Sequence, residues 1–451
     1  MRFHLRIMGN STGHRLTTRE QLYYFLPLAF TALLITATHS LFNAGLARLP
    51  NPEVMIAAFA VAKSLMHVFQ SPVMMIRQTV SALIDHRKNM RRTLTFLGII
   101  VLGVVFVLGT IAFSGASRFI FREVMGISGQ TLEEAVLMLQ ILFLFPAMVA
   151  IRDFFTGFAI KFRVARMLTI GSIMRILYVL IFVSVIDQLT SVPPAYLGSL
   201  MFIGALIVES SVVMIGTKIL VRSFPKALKE LEPPEHQTQP RRLTYANILT
   251  FYSPLIVTTL IHTTIMPIIN SALARTQEPD MAISVFAVSW GLGMIVLSPF
   301  IMFHQVPLHY IDETDNRNNM AVKKFALQLA VICAALMAII GFTDLGHFIL
   351  TRWIGTTDEI SRQSAAVLQL MTVIPFLMVA REYYWGMLMR RRLTRHIWKG
   401  KVANLLTLIA AVTIATIIGP SNPALVGVIG YIACELAEFI FLYFITKEKH
   451  A

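Results

Sequence analysis

Residues 59–72 read FAVAKSLMHVFQSP, and residues 286–299 read FAVSWGLGMIVLSP. Phe-Ala-Val opens both stretches, Ser-Pro closes both, and the register does not slip between them. The same offset of 227 residues carries Pro27-Leu28 to Pro254-Leu255, Arg48 to Arg275, Pro52 to Pro279 and Gln78 to Gln305. At an offset of 229, Leu139-Gln140, Pro146, Arg152-Asp153, Gly157, Lys161, Arg163 and Arg166 recur as Leu368-Gln369, Pro375, Arg381-Glu382, Gly386, Arg390, Arg392 and Arg395. Gly198, Glu209 and Thr217-Lys218 likewise recur as Gly427, Glu438 and Thr446-Lys447. The chain is a tandem duplication. In duplicated membrane transporters the substrate site lies at the repeat interface.

Composition says what kind of duplicate it is. The chain is 56% hydrophobic and 14% charged, with a mean hydropathy of +0.69, far from a soluble domain. A run of about 20 apolar residues crosses a hydrocarbon core of about 30 Å. Such runs fall near 22–46, 54–83, 93–115, 133–160, 166–188, 195–221, 244–274, 281–308, 322–344, 361–389, 398–419 and 423–446. The pattern predicts an all-α integral membrane protein of twelve transmembrane helices. Six spans per repeat set both halves the same way up, as parallel repeats. The predicted organisation is an N-terminal lobe over 1–221, a polar, Pro-containing linker over 222–243, and a C-terminal lobe over 244–451.

The basic residues give an orientation. The N-terminal tail (Arg2, Arg6, Arg15, Arg19) and the loops after the even-numbered spans hold most of the Lys and Arg, including Arg390, Arg391, Arg392, Arg395, Lys399 and Lys401. The opposite loops offer only Arg48, Arg118, Arg122, Arg275, Arg352 and Arg362. The positive-inside rule therefore predicts a multi-pass cell-membrane protein with both termini cytoplasmic. This bias accounts for the net charge of +15, and the charge forms no compact basic patch for nucleic acid. The first apolar run is too long for a signal h-region and lacks a small-residue cleavage site, so no cleaved signal is expected. Cys333 and Cys434 fall mid-span and suit packing rather than a disulfide or a metal. The sequence shows no phosphate loop, no catalytic constellation and no metal motif. No enzyme activity and no cofactor are expected, and transport would run on a gradient.

Ionisable groups inside spans are costly and are functional candidates. Arg152-Asp153 and Arg381-Glu382 occupy matched places six residues after a helix proline; each carboxylate can neutralise its arginine or release it to an anion. In span two, Lys63, His67, Gln70-Ser71, Met74 and Arg77-Gln78 recur at helical spacing on one face, which must look into protein or water. The other repeat replaces Lys63 by Trp290, His67 by Met294 and Arg77 by His304. Glu209 and Glu438, with Glu435 a turn before the latter, suit either a coupling ion or neutralisation of an arginine from span four or ten. His39 with Asn43, and His262 with Asn270, are expected to hydrogen-bond between helices. The paired prolines Pro27 and Pro254, Pro72 and Pro299, and Pro146 and Pro375 are expected to kink their spans. The candidate substrate-binding residues are thus Lys63, His67, Arg77, Arg152 and Arg381; the candidate coupling or ion-pair residues are Asp153, Glu209, Glu382 and Glu438.

Asn43 to Arg48, Phe59 to Met66 with Ser71-Pro72, Val379-Ala380-Arg381 with Gly386, and Gly427-Val428 through Glu438 resemble the progressive ankylosis (ANK) family within the MATE-type flippase (MOP) superfamily. The resemblance implies a V-shaped pair of six-helix bundles and export of a small polyanion such as pyrophosphate, citrate or a nucleotide. Lys63, Arg77 and Arg381 would supply positive charge to a cavity lined by spans one, two, seven and eight. One alternative is a multidrug exporter coupled to Na⁺ or H⁺, disfavoured by the absence of a carboxylate from span one. Another is a flippase for an anionic lipid-linked precursor, which needs a lateral opening and a groove for the lipid tail. The expected partners are a small anionic solute or amphiphile, membrane lipids and a coupling Na⁺ or H⁺.

Overall fold

The computed structural model describes residues 16–84, 87–162, 164, 166–189, 191–222, 243–311, 316–391, 393 and 395–448. The predicted linker lies outside them apart from Arg222 and Leu243, as do Arg163, Arg392 and most of the N-terminal tail. Among the described residues ten helices are long and apolar enough to cross a membrane, and counting each of two bent helix pairs as one span gives twelve.

The first half runs through Thr18–Leu46, Pro52–Gln70 continued by Ile76–Leu83, Arg87–Phe113, the bent pair Gly129–Leu142 and Phe145–Lys161, then Arg166–Val185 and Pro194–Val221. The second half answers with Tyr245–Leu273, Pro279–Leu297 continued by Gln305–Tyr310, Asn316–Phe342, the bent pair Asp358–Met371 and Ile374–Arg390, then Arg395–Ile418 and Leu425–Glu448. These are spans one to twelve in order. The face where the chain enters span one and leaves span twelve is termed the terminal face, and its opposite the far face.

The duplication extends to local devices. Thr17 caps span one by accepting from the Glu20 amide while Glu20 returns a bond to the Thr17 amide; Thr244, at the same offset of 227, caps span seven through the Asn247 amide. A cap of this kind contributes about 1 kcal/mol to its helix. Spans four and ten bend by 41° and 44°, each where a proline begins the second segment. Spans two and eight break into a short 3-10 turn at Pro72 and Pro299. A proline removes one backbone donor, so the ladder parts at these points. Span one stays helical through Pro27, and span seven is helical through residue 254 as well, so these two prolines interrupt no helix.

Two glycines allow each half to close on itself. A Cβ on Gly157 of span four would stand 2.7 Å from Val80 and 3.0 Å from the Arg77 carbonyl oxygen of span two. A Cβ on Gly386 of span ten would collide with Pro307 and stand 2.5 Å from the His304 carbonyl oxygen of span eight. Only glycine permits these crossings, at matched places in both halves.

Spans one and seven tie the halves together at both faces. Near the far face, Asn43 of span one donates to the Ala287 carbonyl of span eight at 3.1 Å. Reciprocally, Asn270 of span seven donates to the Ala60 carbonyl of span two at 3.2 Å. Nearer the terminal face, Phe25 of span one packs edge-on against Phe325 of span nine at 5.9 Å. Its counterpart Tyr252 packs edge-on against Phe96 of span three at 5.6 Å and donates to the Pro72 carbonyl at 2.5 Å. Outward surfaces such as Leu102, Phe106, Ile181 and Ile417 stay exposed and apolar, as lipid-facing surface requires.

Candidate functional site

Between these two tiers of contact, burial along spans two and eight outlines a stripe of partly accessible residues on each half, termed here the cleft. From Val54 to Met66 only Ala60 and Lys63 keep partly accessible surface, and His67 follows. From Ala282 to Gly293 only Ala287 and Trp290 do so, and Met294 follows. Spacings of three and four place each trio on one stripe of its helix, and the two stripes correspond at the offset of 227. Ala60 and Ala287 are the carbonyls that the asparagines hold, so the stripes run from the inter-half contact down into the cleft. One wall carries Lys63 and His67, the other Trp290 and Met294.

His67 lies within electrostatic range of Lys63 and of His262 on span seven, and His39 on span one senses Lys63, His67 and Arg175. His262 is exposed, and it reaches toward Arg381, Lys401 and Glu382. The expected interhelical hydrogen bonds belong to Asn43 and Asn270; the histidines do not make them. The side-chain amide satisfies a carbonyl across the seam; His39 lies one turn from its asparagine and His262 two turns from its own, and His39 Nδ1 is buried.

Two ion clusters flank the cleft. In the first half, Arg152 Nε donates to Asp153 Oδ1 at 2.9 Å, and Arg152 Nη1 lies 3.6 Å from Glu209 Oε2. Arg175 of span five takes the same Glu209 oxygen at 2.8 Å and bonds Thr38 of span one at 3.2 Å. In the second half, Arg381 donates to Glu382 at 2.9 Å and to Glu435. Lys401 and Asn404 of span eleven both donate to Glu438 Oε2 at 2.9 Å, and Trp385 Nε1 donates to Oε1 at 3.1 Å. His304 reaches Glu382 Oε2 at 2.7 Å.

The sequence-derived candidates thus separate into groups. Arg152 and Arg381 are held by carboxylates, with 25% and 9% of their side-chain surfaces accessible. Glu209 pairs with an arginine of span four as expected, but more closely with Arg175. Glu438 does not pair with the arginine of span ten; Lys401 takes that place and Glu435 takes Arg381. Lys401, counted among the loop cations in the sequence, is buried because span eleven already begins at Arg395. Arg77 is exposed and has no ion pair among the described residues, whereas its counterpart His304 is paired. Lys63 contacts no carboxylate among the described residues; its ammonium sits 5.3 Å from the Phe59 ring centroid. Arg175, Trp385, Lys401 and Asn404 were missed as site residues, although a lone arginine within the apolar run IGSIMRILYVL (residues 170–180) is itself a signal.

The sequence model of the progressive ankylosis protein (ANKH) family matches residues 16–276, more than half of the chain. The chain belongs to that family. No curated protein matches it. Solved structures carry the fold. A multidrug resistance MATE family transporter of the MOP superfamily, in its inward-facing conformation, aligns with a TM-score of 0.69 at 15% identity, over 96% of this chain and 99% of that one. The lipid II flippase MurJ in an inward closed conformation aligns with a TM-score of 0.62 at 12% identity, over 93% and 87%. A MOP superfamily transporter from Pyrococcus furiosus, whose reverse binding-pocket polarity suggests a different function, gives 0.60 at 16% identity over 96% and 97%. This ANKH-family chain is therefore a multi-pass membrane protein on the MATE-type fold, with two six-span halves around the cleft.

Proposed function

We propose that this protein is an alternating-access transporter for a small anion, with cytoplasmic termini and with residues 1–221 and 244–451 moving as lobes about the 222–243 tether. One observation carries the reading. Asp153, Glu209, Glu382, Glu435 and Glu438 each have a cationic partner, whereas Lys63 on the cleft wall has no anionic one among the described residues. A lone ammonium in a cleft walled by low-dielectric protein attracts anions and repels cationic drugs. His39, His67 and His262 around it add polar donors, and Trp290 and Met294 on the opposite wall offer an apolar, polarisable surface. Pyrophosphate, citrate and nucleotides are the candidate cargoes, and export is the proposed direction.

The test is uptake into proteoliposomes holding the purified chain. Labelled pyrophosphate or citrate is expected to accumulate or exchange, and a lipophilic cationic dye is not. Dye movement without anion movement contradicts the reading and favours a cation-coupled drug exporter.

A lipid-linked anion is a second reading, favoured by a specific feature. A cavity of about 560 Å³ opens on the outer surface at the seam, lined by Val124 and Met125 from the first half and by Pro267, Ile268, Ile409 and Ile417 from the second. It offers an apolar track for an acyl chain beside Arg275. Depletion of the protein would then trap a lipid precursor on the inner leaflet.

A further inference from the structure

The two ion clusters share a frame but differ in its partners: at the offset of 229, Lys401 replaces Ser172 and Asn404 replaces Arg175. Arg152, Asp153 and Glu209 correspond to Arg381, Glu382 and Glu438 at the offset of 229, but Glu435 corresponds to Leu206. In the first cluster two arginines face two carboxylates. In the second, Arg381 and Lys401 face Glu382, Glu435 and Glu438. Two permanent cations thus face three carboxylates in the second cluster, with the titratable His304 imidazole set against Glu382. Glu435 is 1% exposed. Its Oε1 accepts from Arg381; its Oε2 is buried and no hydrogen bond of good geometry reaches it among the described residues, the Tyr431 hydroxyl being the polar group beside this carboxylate. A bare anionic oxygen in such a place is costly, and a neutral carboxylic acid is much less so.

We propose that Glu435 is an exchangeable proton site, and that a proton there and an anion in the cleft favour one another's binding. The groups facing it are Arg381 from span ten, Lys401 from span eleven, and Tyr431, Cys434 and Glu438 from span twelve. Glu382 and His304 stand behind Arg381. When Glu435 is ionised, it and Glu382 share Arg381, and the positive charge is consumed locally. With Oε2 protonated, the cluster is neutral and Arg381 is balanced by Glu382 alone. Arg381 lies within electrostatic range of His262 at the cleft, so its field then extends toward an anion. Only an O–H bond forms or breaks, with the proton exchanged with water. A sodium ion suits the site poorly, because Arg381 fills the space between Glu382 and Glu435, and Lys401 with Asn404 saturates Glu438 Oε2. The proton site stands on the cluster alone; the coupling rests on the anion reading above.

Infrared difference spectra of the reconstituted full chain, taken between acidic and alkaline buffer, test the site. A carbonyl band of a protonated carboxylic acid is expected in the parent protein and absent from Glu435→Gln. Lack of such a band, or anion binding that requires Na⁺ in its place, overturns the proposal. For the coupling, citrate is added to lightly buffered protein above citrate's own titration range. The parent is expected to take up about one proton per bound anion, with affinity falling up to about tenfold per pH unit. Glu435→Gln is expected to take up none and to bind with pH-independent affinity. Binding without proton uptake in the parent overturns the coupling. Absence of citrate binding to both proteins, with the band intact, contradicts the anion reading and upholds the proton site.

Discussion

Asn43 and Asn270 stand 227 residues apart and make the same hydrogen bond in opposite directions across the seam. Asn43 holds the Ala287 carbonyl and Asn270 holds the Ala60 carbonyl, and those two alanines are themselves 227 apart. The pair departs from symmetry at one point. Asn270 also reaches the Ser64 hydroxyl at 3.2 Å, whereas Gly291 occupies the matching place beside Asn43, where a Cβ would stand 2.7 Å from the amide nitrogen. Each bond spans the halves near the far face, so alternating access at that face requires both to break.

Removing either amide should loosen that seam by about 1 kcal/mol. Asn270→Ala is expected to cost more than Asn43→Ala, because it also removes the bond to the Ser64 hydroxyl. The measurement is maleimide labelling of Ala60→Cys from the far face, on a background with Cys333 and Cys434 replaced. Labelling should rise about fivefold in Asn270→Ala, as 1 kcal/mol implies; an unchanged rate argues that these bonds do not gate the seam.

The close crossings of spans two with four and eight with ten predict an ordered pair of effects. Gly386→Ala places a methyl group against Pro307 and the His304 backbone; Gly157→Ala places one against Val80 and the Arg77 backbone. Overpacking of this kind costs about 1–3 kcal/mol. Thermal unfolding in detergent should show both variants destabilised and Gly386→Ala more so. Equal stability of Gly386→Ala and the parent would place the crossing elsewhere.

Lys401 and Glu438 form a structural pair, 3% and 0% accessible at their side chains and 2.9 Å apart. Glu438→Gln strands the ammonium and is expected to cost about 3–5 kcal/mol. The double change Lys401→Met with Glu438→Gln should recover most of that loss. A double variant no more stable than the single one contradicts the pairing.

Much of this was legible in the sequence, for stated physical reasons. Hydropathy finds spans because the bilayer imposes a length and a polarity on every one of them, and the register of the duplicate fixes which spans correspond. Pro72, Pro146, Pro299 and Pro375 mark real breaks, since a missing amide cannot be replaced within the same helix. Pro27 is different: span one continues through it as an unbroken helix. Interhelical partners were not legible. Helical spacing says which residues share a face, not which neighbour that face meets, so Arg175 beside Glu209 and Lys401 beside Glu438 emerge only in three dimensions. The contrast of Lys63 with Trp290 was visible from the repeat; the absence of an acid near Lys63 among the described residues was not.

On the proposed reading, the uncompensated charge of Lys63 draws an anion into the cleft. This is tested most directly by citrate and pyrophosphate uptake into proteoliposomes carrying Lys63→Met beside the parent, with thermal unfolding of both. Losing one ion contact in a low-dielectric site costs about 1.5–3 kcal/mol, so uptake should fall at least about tenfold while unfolding stays unchanged and Lys63→Arg retains part of the activity. Uptake by Lys63→Met equal to that of the parent would contradict the account.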